Sequence, residues 1–205
     1  MLNGKANIAV LVSGGGTNLQ AIIDAEKSGI IHSGKVSLVV SNVKDAYALT
    51  RAQNAGIKTA VITKKECGSA QMFEQRLIDT LEENGTDLII LAGFMSILSE
   101  DFTSHFRDRI INVHPSLIPS FCGKGFYGLK VHEAALAKGV KVTGATVHFV
   151  NEIPDGGKII MQKAVEIQPD DTPEILQKRV MQQAEWIILP QSAELVCGEI
   201  VKGEK

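Results

Sequence analysis

The chain has 205 residues, 44% hydrophobic and 21% charged, enough apolar material for a sizeable core and within the size range of one domain. Twenty-one Lys and Arg against 23 Asp and Glu leave a formal charge of -2, too balanced for the basic footprint of a nucleic-acid binder. No apolar run approaches the ~20 residues of a membrane span, residues 1–7 do not read as a secretion leader, and the dispersed Cys67, Cys122 and Cys197 form neither a disulfide framework nor a zinc motif. These features point to a cytoplasmic protein that takes small-molecule substrates, with no nucleic-acid or membrane partner.

Over the first half, short β-branched apolar runs alternate with segments of helical period, the pattern of βαβ units on a parallel sheet, so an α/β layer fold is expected. Residues 8–12 read as the first strand. Gly14, Gly15 and Gly16 turn the chain into a helix with Leu19, Ile22 and Ile23 on one face, and Thr17 with Gln20 fits a capping box. A second strand at 36–40, a helix at 46–55 ended by Gly56 and a third strand at 59–62 follow. Residues 69–83, with Phe73, Leu77 and Leu81 four apart and Gly85 just beyond, form the clearest helix.

Apolar runs at 88–91 and 110–113 lead into Ala-Gly-Phe-Met and His-Pro-Ser, and ligands of open α/β sheets bind outside such strand ends. A long loop with Pro119, Gly123, Gly125 and Gly128 then reaches a helix at 131–138, and loops of that length are usually functional or mobile. Strands at 143–150 and 158–167 have hairpin spacing across 151–157 and suggest antiparallel edges. The last helix begins near Thr172 with Pro173 in its first turn, and Pro190 should kink or interrupt it. No linker or repeat suggests a second domain.

Three features carry chemistry. Ser13 to Asn18 place glycines before a helix start, where free N–H groups and the helix dipole can hold a phosphate. Leu19 stands where a dinucleotide fingerprint needs its last glycine, and no Lys-Ser or Lys-Thr follows, so NAD and ATP are disfavoured. Asn112 and His114 should project from one face at a strand end, an amide donor beside a group that titrates near neutrality, suited to attack on an acyl-level carbon. Asp155, before Gly156 and Gly157, is a carboxylate that would pair with His114, although Asp-Gly-Gly is equally an ordinary hairpin turn. His32, His105, His132 and His148 are given no catalytic role.

Ser-Gly-Gly-Gly-Thr-Asn-Leu at 13–19, Leu-Ala-Gly-Phe-Met at 91–95, Asn-Val-His-Pro-Ser-Leu-Ile-Pro at 112–119, and Thr-Val-His-Phe-Val with Asp-Gly-Gly within 146–157 closely resemble the phosphoribosylglycinamide formyltransferase family. The resemblance spans nearly the whole chain. It implies a Rossmann-like formyltransferase fold, with a mostly parallel central sheet, antiparallel C-terminal strands and helices on both faces. It also implies one domain over 1–205, with a phosphate-binding half at 1–90 and a folate-binding, catalytic half at 91–205. The implied reaction moves a formyl group from 10-formyltetrahydrofolate, a co-substrate, to 5-phosphoribosylglycinamide, without a metal, in a monomer or homodimer.

By the same resemblance Gly16, Thr17 and Asn18 would hold the acceptor phosphate and Glu185 the ribose. Met95, Ser96, Ile97, Leu98, Asn151, Glu152, Ile153 and Pro154 would line the folate slot, and Asn112, His114 and Asp155 would be catalytic. An adjacent Asp155 carboxylate should favour the His114 imidazolium, which with Asn112 would steady the negative oxygen. The chain departs from the family pattern in a longer 120–128 segment, in Trp186 after Glu185, in one extra residue between Arg179 and Pro190, and in Ala70 where some relatives carry an arginine. Two other readings stand beside this one. A formyltetrahydrofolate hydrolase would use the same trio with water as acceptor but carries an added N-terminal domain. A non-catalytic phosphate or nucleotide-sugar binding module would need only the glycine turn.

Overall fold

The computed structural model describes residues 4–204; residues 1–3, part of the segment read for a leader, and residue 205 lie outside the described residues. A strand that is apolar throughout must be covered on both faces, and β1 (Ala6–Val12) is buried at every position. Its Ile8, Val10 and Val12 enter one apolar cluster and its Ala9 and Leu11 the other, the period-two alternation of a central strand. β2 (Gly34–Ser41), β3 (Lys58–Val61), β4 (Leu88–Leu91) and β5 (Ile110–His114) join it in parallel. β6 (Val142–Phe149) and β7 (Ile159–Glu166) add antiparallel strands, giving the order β3-β2-β1-β4-β5-β6-β7. Only β7 of that last pair is an edge; β6 is interior.

Helices cover both faces. α1 (Thr17–Ser28) and α2 (Tyr47–Asn54) feed the first cluster through Leu19, Ile22, Ala48 and Ala52. α3 (Lys64–Cys67), α4 (Ala70–Glu83) and α5 (Glu100–His105) feed the second through Cys67, Phe73, Leu77, Leu81 and Phe102. Cutting fully buried Leu77 to Ala would cost about 2–5 kcal/mol, the transfer and cavity terms together. α6 (Leu129–Lys138) buries Val131, His132 and Ala135, while α7 (Pro173–Val180) and α8 (Trp186–Lys202) complete the first cluster with Leu176, Val180, Ile188 and Val196. Among the described residues no helix is long and apolar enough to cross a membrane.

Two local expectations are corrected, and two short helices appear that sequence periodicity did not show. Thr17 is no cap: Gly16, left-handed at φ 71°, starts α1 without a side-chain cap, and Gln20 reaches Asp24 and Arg51 instead. α3 and α5 are too short for apolar periodicity to reveal, although their Thr63 and Ser99 caps are typical start signals. Pro190 lies inside α8 without ending it, and the interruption comes earlier, as a π-helical turn at Met181–Glu185. A π turn accommodates one residue more than an α turn. Here it lets Val180, Ala184 and Glu185 all point inward.

Candidate active site

β1, β4 and β5 end on the same side of the sheet because they are parallel. β1 gives way to the glycine turn, whose Gly16 carbonyl accepts from Gln20 N at 2.9 Å and so begins α1. With no cap side chain, the first-turn N–H groups of α1 have no partner within the helix. The Asn18 amide donates to buried Glu185 at 2.8 Å, so two residues expected at the acceptor site do meet. The turn is also fastened to the segment after β4: Ser13 Oγ accepts from Met95 N at 2.8 Å and donates to Asn42 Oδ1 at 2.7 Å, and Asn42 donates to Ser96 Oγ at 2.9 Å.

On β5, Ile111 and Val113 enter the first cluster, so Asn112 and His114 face the opposite side of the sheet. Register pairs Asn112 with His148 and His114 with Thr146 on β6. These side chains share one patch of the sheet. The 151–157 loop folds back over it, shaped by Asp155 at φ 57° and by Gly157, where a Cβ would lie 1.7 Å from the Phe149 carbonyl oxygen. Only glycine permits that approach. Asp155 Oδ2 accepts from Gly123 N at 2.8 Å and stands 3.5 Å from His114 Nδ1, while its Oδ1 stands 3.6 Å from His148 Nε2. The expected trio is therefore assembled, and His148 belongs with it.

Proton positions follow from the partners. His114 Nε2 lies 2.9 Å from the Phe121 carbonyl oxygen, which only accepts, so that nitrogen carries a proton. His148 Nδ1 lies 2.7 Å from the Phe149 carbonyl oxygen, and its Nε2 lies 3.3 Å from Asn112 Nδ2 and 3.6 Å from Asp155 Oδ1. An N–H of Asn112 remains for the slot beside it.

Burial pushes His114 below its usual value, against the opposing pull of Asp155 and the Phe121 carbonyl. The expected preference for imidazolium is thus corrected: Asp155 acts in that direction, but loss of water outweighs it. A neutral ring with its proton on Nε2 has none on Nδ1 for Asp155, in keeping with a 3.5 Å separation too long for a hydrogen bond. Burial would raise the Asp155 carboxyl, but His148, the Gly123 amide and His114 together hold it below the usual range. The resting site therefore pairs an ionised carboxylate with a neutral imidazole.

Next to these groups is a cavity of about 140 Å³. Ser96, Ile97 and Leu98 line one side, Asn151, Glu152, Ile153 and Pro154 the other, and Asn112, His148 and Asp155 reach into it. Met95, expected there, is exposed instead and serves through its backbone amide on Ser13. His114 is not on the cavity wall but beneath Phe121. A larger hollow of about 540 Å³ elsewhere is bounded by exposed Lys44, Val61, Glu66 and Arg76 and contains the Lys44–Glu66 ion pair at 2.7 Å; it is open surface. Among the described residues no group of three or more His, Cys, Asp or Glu side chains is placed to hold a metal ion.

The chain is similar to known proteins over most of its length. The phosphoribosylglycinamide formyltransferase of Haemophilus influenzae is 44% identical over 183 residues, covering 89% of this chain and 83% of that protein. The trifunctional purine biosynthetic protein adenosine-3 of Bos taurus is 44% identical over 200 residues, which is 97% of this chain; the chain spans only 19% of that relative's length. Among solved structures, glycinamide ribonucleotide transformylase 1 from Symbiobacterium toebii matches with a TM-score of 0.88 at 39% identity, over 98% of this chain and 90% of that one. A family model described as formyl transferase matches residues 6–192. With the sheet order, the strand-end Asn-His pair and the carboxylate loop all in place within that span, the chain belongs to the formyl transferase family.

Proposed function

We propose that this chain transfers the formyl group of 10-formyltetrahydrofolate to the amine of 5-phosphoribosylglycinamide, a step of de novo purine (IMP) biosynthesis. The observation that carries the reading is the slot that Asn112 and Asp155 line, with His114 Nδ1 3.5 Å from Asp155 and the glycine turn fastened alongside through Ser13. Gly16, Thr17 and Asn18 receive the phosphate, Glu185 the ribose hydroxyls, and the slot the pterin of the folate. A phosphate-binding half at 1–90 and a folate-binding half at 91–205 act as one unit, as a cytoplasmic monomer or homodimer without a metal.

In the reaction the neutral acceptor amine attacks the formyl carbon on N10, forming a C–N bond and leaving a negative oxygen. Asn112 Nδ2–H and His114 Nε2–H donate to that oxygen, the latter once the Phe121 carbonyl has moved off it. The imidazole need not be cationic to do this, because its Nε2 is protonated in either state. Asp155 stabilises positive charge on the ring whenever its Nδ1 takes up a proton. The C–N10 bond then breaks, and the proton lost by the amine ends on N10, so the exchange balances without a cofactor. A binding module would need the glycine turn but none of this trio.

The test is kinetic. Asn is among the residues that tolerate the left-handed backbone at 155, so Asp155→Asn and His114→Ala should keep the wild-type circular dichroism spectrum yet lose on the order of 10²–10³ in kcat. Near-normal transfer by both variants overturns the assignment.

A further inference from the structure

We infer that Arg51 is a positioning residue for the acceptor phosphate, acting through the Gly15 carbonyl of the glycine turn; this rests on the acceptor reading above. Three contacts hold the turn against α2. Ala48 N–H donates to the Gly14 carbonyl at 3.0 Å, and Arg51 Nε donates to the Gly15 carbonyl at 2.8 Å. At Gly16 a Cβ would lie 2.6 Å from Ala48 Cβ and 2.8 Å from its Cα, so the two backbones touch where a side chain would stand.

A trans peptide directs its C=O and the next N–H to opposite sides. Drawing the Gly14 and Gly15 carbonyls toward α2 therefore sends the Gly15 and Gly16 N–H groups away from it. A phosphate at the start of α1 then meets donors instead of carbonyl oxygens that would repel it. Without the guanidinium the Gly15 carbonyl loses its partner, and in an all-glycine turn that peptide plane is free to rotate.

Arg51 is itself fixed. Its Nη1 donates to Gln20 Oε1 at 3.1 Å, on the first turn of α1, and its guanidinium lies 5.0 Å from the Tyr47 ring centroid. One planar fork thus joins α2, the turn and α1, which a lysine ammonium cannot reproduce.

The experiment uses the full chain, Arg51→Ala and Arg51→Lys, with 10-formyltetrahydrofolate as donor. Acceptors are phosphoribosylglycinamide and ribosylglycinamide lacking the phosphate, and inorganic phosphate serves as competitive inhibitor. Arg51→Ala should raise KM for the phosphorylated acceptor and Ki for phosphate by about tenfold or more, with kcat and donor KM within about twofold. Activity on the phosphate-free acceptor should not change, and Arg51→Lys should fall between. An equal loss on both acceptors, or an unchanged phosphate Ki, overturns the inference. Should Arg51→Ala fail to fold by circular dichroism, Arg51→Lys makes the same comparison and the same two results overturn the inference. A wild-type chain indifferent to the phosphate would overturn the acceptor reading itself, whereas a wild type that prefers it, with variants that keep the preference, overturns only the role of Arg51.

Discussion

The side-chain amide of Asn18 donates to Glu185 Oε2 at 2.8 Å, joining the first turn of α1 to the π turn before α8 across 167 residues of chain. Burial raises the Glu185 carboxyl from 4.5 to about 7, and the Asn18 bond offsets only part of this. The folded state thus holds a proton that the unfolded chain releases. The resulting stability is fully present below pH 4.5 and is lost as pH rises through 7, about 3 kcal/mol at roughly 1.4 kcal/mol per unit. Glu185→Gln retains an acceptor for Asn18 but does not titrate. Its melting temperature relative to wild type should climb steadily between pH 4.5 and 7, and parallel curves would contradict the shift.

His132 carries the opposite dependence. It is fully buried on α6, neither ring nitrogen has a partner among the described residues, and burial, then repulsion from His114, lowers it from 6.5 to about 4. Here the folded state holds the ring neutral, so the stability is present above pH 6.5 and falls away toward pH 4, again by about 3 kcal/mol. His132→Leu should match or exceed wild type at neutral pH, since an unpartnered polar ring gains nothing from its nitrogens. Its advantage should widen on acidification, and thermal melts across that range would decide it. In the wild-type chain the Glu185 and His132 slopes largely cancel, so only the single variants reveal either.

Gly157 tests the loop that carries the carboxylate. A methyl group there would lie 1.7 Å from the Phe149 carbonyl oxygen, so Gly157→Ala must open the 151–157 loop and move Asp155 off His114 and His148. Misplacement by about 1 Å costs on the order of 10² in rate. We expect kcat to fall by that order while the core, judged by far-ultraviolet circular dichroism, stays intact. Full activity in Gly157→Ala would show that Asp155 need not sit where the loop holds it.

Much of this was legible in the residues because burial on both faces leaves a plain mark. β1 and β4 are unbroken apolar runs, and Phe73, Leu77 and Leu81 repeat at helical spacing. Asn112 and His114 could be read from strand alternation followed by Pro115. His148 could not, because its place beside Asn112 depends on the β5–β6 register, which no local pattern encodes. The neutral state of His114 was missed for a related reason: the attraction of Asp155 can be guessed from a motif, whereas the burial that outweighs it is a property of the folded loop at Phe121. The π turn could not be read, because apolar spacing along the last segment does not mark where a helix widens by one residue.

The most direct measurement follows the formyl carbon itself. With isotope-labelled 10-formyltetrahydrofolate and phosphoribosylglycinamide, the account expects the label to appear as an amide on the acceptor nitrogen, in step with loss of donor, and no donor to be consumed when the acceptor is left out. Label recovered as formate, at a rate indifferent to the acceptor, would contradict transfer and make water the true nucleophile.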